Sequence, residues 1–185
     1  MGYNRFMSTY LSTKIRRASQ VLWSKLDEHL LPFGKVGVVL AISGGPDSRA
    51  LLESIAQWPN RQNAGRFFVV SLDHQVRHES QAEARFIYMR AKRLGFYAHY
   101  ESLQNEKTGE KDLRKARYQI LCQIAKRHSC KVICTAHHED DDAEGYFMAL
   151  MGVGGGELGA SMKEASVMGD FILARPFLSL NKADL

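Results

Sequence analysis

Ser43-Gly44-Gly45-Pro46-Asp47-Ser48 follows directly on the apolar run Val38-Val39-Leu40-Ala41-Ile42, so a hydrophobic strand empties into a glycine loop that opens a helix. That arrangement suits an anion. Gly44 and Gly45 let the backbone come close to a phosphate, and the hydroxyls of Ser43 and Ser48 can donate to it. Pro46 fits the first turn of a helix whose free amides point the same way. A loop of the G-x-x-x-x-G-K-S/T kind carries a lysine for the β- and γ-phosphates. Here a carboxylate, Asp47, lies there instead, which makes sense if it holds a magnesium ion on the phosphates. An ordinary strand-to-helix turn is the blander alternative, and the order of strand, S-G-G-x-D-S and helix weighs against it.

A second polar constellation is His137-His138-Glu139-Asp140-Asp141-Asp142-Ala143-Glu144, where a strand gives way to a helix. Asp141 and Glu144 are three apart and Asp140 and Glu144 four apart, so these carboxylates share a helix face. They repel one another unless a cation joins them, which points to magnesium or a cationic substrate group. Acids in a first helical turn are also favoured by the helix dipole, and a histidine and acid site for a transition metal is a further alternative.

The elements that must position these residues alternate in type. Ile15, Ala18, Leu22, Leu26 and Leu30 recur at helical spacing, and Pro32 to Gly34 end that helix. Strands are expected over 36–42, 67–72, 96–100 and 131–135. Helices are expected from the glycine loop to Trp58, along the face Ala84, Ile87, Ala91 and Leu94, along Leu113, Ala116, Ile120 and Ile124, and over 140–151. Such alternation predicts an α/β domain, a mostly parallel sheet with helices on both faces. Ligands in such sheets bind outside the carboxyl ends of the strands, and Ser43 to Ser48, Asp73-His74 and His137 to Glu144 all follow strand ends. An N-terminal extension with an amphipathic helix over 1–34 and a catalytic domain over 35–185 is the expected division.

Composition fits a globular domain with a core: 185 residues, 45% hydrophobic, with no apolar segment of membrane-spanning length. Without a secretory signal, the expected location is cytoplasmic. Cys122, Cys130 and Cys134 are odd in number and read as buried reduced thiols, with Cys130 and Cys134 bracketing a strand. A formal charge of +5 is compatible with a nucleic-acid partner without establishing one.

In order, the chain carries S-G-G-x-D-S, Asp73-His74, Leu113-Arg114-Lys115-Ala116-Arg117-Tyr118, Ala136-His137-His138-x-Asp140-Asp141-x-Ala143-Glu144 and Arg175-Pro176-Phe177-Leu178. This series resembles the tRNA(Ile)-lysidine synthetase family of N-type ATP pyrophosphatases (PP-loop enzymes), over roughly residues 36–185. It departs from the family pattern at Gln75, Leu113, Asp142, Gly145 and Gly152, which bears on fine substrate recognition more than on ATP chemistry.

The resemblance implies an adenine nucleotide α-hydrolase-like domain and a ligase. In the implied reaction, ATP adenylates the C2 oxygen of the wobble cytidine of tRNA(Ile). The ε-amine of free L-lysine then displaces AMP, giving lysidine. It further implies that Ser43 to Ser48 bind ATP and that Asp47 steers Mg2+. Asp141 and Glu144 would orient the lysine ammonium, His137 and Arg117 would lie near the adenylate and the base, and Arg114 would contact tRNA. The family's C-terminal tRNA-contacting region is expected to be missing. No membrane partner is implied, and the oligomeric state stays open, a homodimer being one option. A PP-loop tRNA thiolase and an inactive ATP-binding fragment are the alternatives. The stretch Gly152 to Gly159 reads equally as a flap or a helix stop.

Overall fold

The computed structural model describes residues 19–73, 80–102, 110–137 and 163–180. Helix α1 covers 19–30 and ends in a 3-10 turn, Leu31–Phe33, with Pro32 in its first turn and Gly34 at φ 68° beyond it. There follow β1 (Gly37–Ala41), α2 (Pro46–Gln57), β2 (Phe67–Asp73), α3 (Ser80–Arg93), β3 (Tyr97–Ser102), α4 (Glu110–Arg127), β4 (Cys130–Thr135), β5 (Ala165–Met168) and β6 (Phe171–Ala174). The sheet runs β3-β2-β1-β4-β6-β5, parallel throughout except for the β5–β6 pair at one edge.

Strands this apolar are the mark of a sheet buried on both faces: β2 is buried along its whole length and β1 along all but its first residue. Alternation splits them. Val38, Leu40 and Ile42 face one core with Leu22, Leu26 and Leu30 of α1, Leu51, Leu52 and Ile55 of α2, and Ile87 and Ala91 of α3. Val39 and Ala41 face the other, closed by Tyr118, Leu121, Ile124 and Ala125 of α4. The mostly parallel sheet with helices on both faces is therefore present.

Two expectations need correcting. The buried stripe of α4 runs through Tyr118, Leu121, Ile124 and Ala125, whereas Leu113, Ala116 and Ile120 are only partly buried. The bulky Tyr118, 1% exposed, decides the rotation of the helix. Cys130 lies within β4, and a register irregularity opposite Gly37 and Val38 places Cys130 and Cys134 in opposite cores. A bulge adds one residue to a strand and so reverses its alternation.

Polar ties hold α1 in place. Trp23 donates to the Ser54 carbonyl (3.1 Å) and Trp58 to Asp27 (2.9 Å). Lys25 lies 3.1 Å from Glu28 and 3.8 Å from Glu164, and His29 Nε2 lies 3.5 Å from Glu164, joining α1 to the entry of β5. Gly65, at φ 105°, permits a close approach: a Cβ there would sit 2.1 Å from the Val36 carbonyl oxygen. Among the described residues no helix is long and apolar enough to cross a membrane.

Candidate active site

The strand order places β1 between β2 and β4, and chain progression reverses direction in the sheet at that point. In open parallel sheets the crevice beyond the strand ends at such a point is where ligands bind. Ala41 pairs with Val70 of β2 and with Thr135 of β4. The loop two residues beyond Ala41 is thereby flanked by Asp73 at the end of β2 and by His137 just past β4.

The loop is held by its own hydroxyls. Ser48, 6% exposed, accepts a hydrogen bond from the Gly44 amide (3.2 Å) and donates to the Gly45 carbonyl (2.9 Å), and the Ser43 and Ser48 hydroxyls lie 3.3 Å apart. In this arrangement Ser48 shapes the loop from beneath while Ser43 is exposed. Gly44 adopts φ 95°, a conformation that favours glycine, and a Cβ on it would meet Glu83 Cβ at 3.4 Å and Ile87 Cγ1 at 3.9 Å. Gly45 caps α2 with extended geometry and no side-chain bond, Pro46 occupies the first turn, and Asp47 follows it half-buried. At the start of α2 the helix dipole favours an anion.

Around the loop stand hard oxygen donors. Asp47 is in the first turn of α2, Asp73 is 1% exposed at the end of β2, and Glu83 of α3 packs against Gly44. Carboxylates of this kind suit magnesium rather than a softer metal. Glu83 escaped sequence reading because its only signal there, an acid in a first helical turn, is one the helix dipole explains by itself. His137 is half-buried and its Nδ1 lies 2.8 Å from the Thr135 hydroxyl, which fixes the ring over the end of β4. Thr135 is fully buried, and its alternating position in a buried strand hid it among core residues.

Arg117 is half-buried on α4, its guanidinium carbon 5.9 Å from the Tyr118 ring centroid. It borders the buried stripe one turn before Leu121. The Arg114 side chain, His74, Asp140, Asp141, Glu144 and the stretch 152–159 lie outside the described residues. Arg175 is the other residue of consequence: at the end of β6 it is 1% exposed, and its Nη1 donates to the Lys163 carbonyl (2.6 Å) and to Ser166 (3.2 Å). Its own amide donates to the Glu164 carbonyl (2.7 Å). The guanidinium therefore staples the start of β5 to the carboxyl edge of the sheet.

All three cysteines carry free thiols. Burial pushes each upward, Cys130 to about 11, so none is a thiolate near neutrality. With Cys130 and Cys134 in opposite cores, they form no pair beside the loop.

A family model described as a PP-loop domain matches residues 18–185. Among curated relatives, a tRNA(Ile)-lysidine synthase of a Bradyrhizobium species is 39% identical over 160 residues, covering 83% of this chain and 44% of that protein. One from a Methylobacterium species is 40% identical over 153 residues, covering 80% of this chain and 43% of the relative. One from Wolbachia pipientis wMel is 31% identical over 152 residues, covering 80% and 35%. The chain spans less than half the length of these relatives. Among solved structures, a U34-tRNA thiolase of Methanococcus maripaludis with its 4Fe-4S cluster matches with a TM-score of 0.66 at 14% identity, over 92% of this chain and 60% of that one. That likeness concerns the fold.

Proposed function

This chain belongs to the PP-loop domain family, and from that premise we propose that it is the ATP-using domain of a tRNA(Ile)-lysidine synthase. The observation that carries the reading is the Ser48-tied glycine loop at the β1–β4 crevice, with Asp47, Asp73 and His137 around it, in a chain 39% identical over 160 residues to one such synthase. The likeness to a thiolase, at 14% identity, concerns the fold, and Cys130 and Cys134 lie in opposite cores.

The C2 oxygen of cytosine is a poor leaving group. In the proposed reaction it attacks the α-phosphorus of ATP and pyrophosphate departs. The ε-amine of lysine then bonds to C2, the C2–O bond breaks to release AMP, and the amine loses a proton. The α2 amides and loop backbone hold the phosphates as charge builds on the leaving pyrophosphate. Asp47 would hold a magnesium ion, which would neutralise part of that charge. His137 and Arg117 orient the adenylate and base, and Asp141 and Glu144 hold the lysine ammonium through charge-assisted hydrogen bonds. A cytoplasmic location accompanies this function.

The test is incubation with ATP, radiolabelled lysine and bulk tRNA. Lysine should enter tRNA with release of AMP and pyrophosphate, and Asp47→Asn should abolish pyrophosphate release with the fold intact. Glu144→Gln should raise the lysine KM far more than the ATP KM. Stimulation by a sulfur donor in place of lysine would overturn the reading in favour of a thiolase.

A further inference from the structure

At the opposite edge of the sheet, where strands begin and helices end, lies a pocket of about 450 Å³. Its lining includes Arg61, Arg66, Phe67 and Tyr97. Tyr97 opens the edge strand β3 and is 63% exposed. It stacks on Phe68 with centroids 5.1 Å apart and planes inclined by 21°, and Phe68 also stacks on the exposed His128 at 4.5 Å. The outermost ring of this stack is a platform for another flat ring.

Two loop arginines line the same pocket, and two more end the helices at this edge. Arg66 is exposed beside the pocket, and Arg61 is held in place by its contact with the Phe96 ring (4.0 Å) and by the carbonyls of Leu94 and Gly95 (both 3.4 Å). Arg93 and Arg127 stand exposed in the last turns of α3 and α4. The helix dipole accounts for Arg93 and Arg127, but not for Arg61 and Arg66, which lie in the loop before β2. Arg90, bound to Glu53 at 2.6 and 2.8 Å, is already paired.

We propose that this amino-terminal edge is an RNA-binding surface separate from the reacting crevice, on which Tyr97 stacks an unpaired base and Arg61, Arg66, Arg93 and Arg127 meet backbone phosphates. Positive charge interleaved with an exposed ring is the combination that binds single-stranded RNA without reading sequence. The six residues of β3 connect the two edges, about 20 Å apart at roughly 3.3 Å per residue, a span that a tRNA covers easily. The inference rests on the tRNA substrate proposed above and adds where that substrate is gripped.

The experiment is a salt titration of bulk-tRNA affinity for the whole chain and its variants, with ATP affinity measured in parallel. The triple variant Arg66→Gln, Arg93→Gln, Arg127→Gln should lower the slope of log affinity against log salt by about 2, since each phosphate contact on a single strand contributes about 0.7. Tyr97→Ala should weaken binding about tenfold and Tyr97→Phe should restore it, because stacking needs the ring and not the hydroxyl. ATP affinity should be unchanged in all of them. A wild-type slope in the triple variant, an affinity indifferent to loss of the Tyr97 ring, or no RNA binding by the unaltered chain would each overturn the proposal. Lysine transfer together with indifferent variants would sink this surface and leave the proposed activity standing; the reverse pattern would do the opposite.

Discussion

The two edges of the sheet are made by the same strands and end in opposite chemistry. At the carboxyl edge lie the start of α2 and the carboxylates of Asp47 in its first turn, Asp73 at the end of β2 and Glu83 beside Gly44. At the amino edge the helices end, and Arg90, Lys92, Arg93, Lys126 and Arg127 occupy their last turns. In a parallel α/β layer every helix points the same way, so helix dipoles sort acids to one edge and bases to the other without any ligand being involved. What distinguishes a site from this sorting is a feature that the dipole does not require. At the carboxyl edge that feature is a glycine at φ 95° with a buried serine tying the loop. At the amino edge it is an exposed tyrosine with two loop arginines.

The sharpest way to break this contrast is Gly44→Ala. A methyl group there meets Glu83 in a backbone conformation that alanine resists, and displacing the loop by about 1 Å should cost on the order of a hundredfold in ATP-dependent pyrophosphate release. The strained backbone should lower the melting temperature by a few degrees while tRNA affinity barely moves; if tRNA binding falls equally, the two edges are not independent.

Arg175→Met should act on stability instead. Loss of a buried charged donor strands the Lys163 carbonyl and costs about 3 kcal/mol, read as a fall in Tm of roughly 10 °C. A variant that melts like the unaltered chain would show that Arg175 is not the staple of β5.

Ser48→Ala removes the hydroxyl that accepts from Gly44 and donates to Gly45, and should weaken ATP binding about tenfold with no change in the tRNA salt slope. Unaltered ATP affinity would mean that the loop holds its shape without this tie.

The smallest effect is on pH. The folded thiol of Cys130 is raised by burial to about 11 from an ordinary value near 9, so the unfolded chain loses that proton first. Stability is therefore whole below about pH 9 and declines from there toward about pH 11, and Cys130→Ala should flatten that decline in urea titrations. An identical alkaline decline in the variant would assign it to other groups.

The central strands and their helices were legible because their signals are local and strong. Val38–Ile42 and Phe67–Leu72 are unbroken apolar runs, and Gly34 and Gly95 stop their elements where the chain must turn, at φ 68° and 77°. The face of α4 was less legible. Leu113, Ala116 and Ile120 have the right period, but a large ring at Tyr118 buries more area than an alanine or a half-covered leucine, and it turned the helix toward itself. Of the candidate site, Ser43 to Ser48 and His137 follow the carboxyl ends of the neighbouring strands β1 and β4, while Glu83 and Thr135 had no distinguishing sequence signal and Arg175 stood only within the Arg175-Pro176-Phe177-Leu178 motif, with no role read for it. Each reaches its place through a partner far along the chain: Glu83 through Gly44, Thr135 through the Ala41 register, and Arg175 through Lys163 and Ser166.

The sequence by itself determined the order of β1 to β4 and of the helices between them, and the glycine loop that joins β1 to α2, because hydrophobic period and glycine act over a few residues, whereas β5 and β6 were not read from it. Only the tertiary structure decided that β1 lies between β2 and β4, that a bulge sends Cys130 and Cys134 into opposite cores, and that Tyr97 is left uncovered beside Arg61 and Arg66. These outcomes depend on strand neighbours and on which surfaces the rest of the chain covers, and no local pattern of residues carries that information.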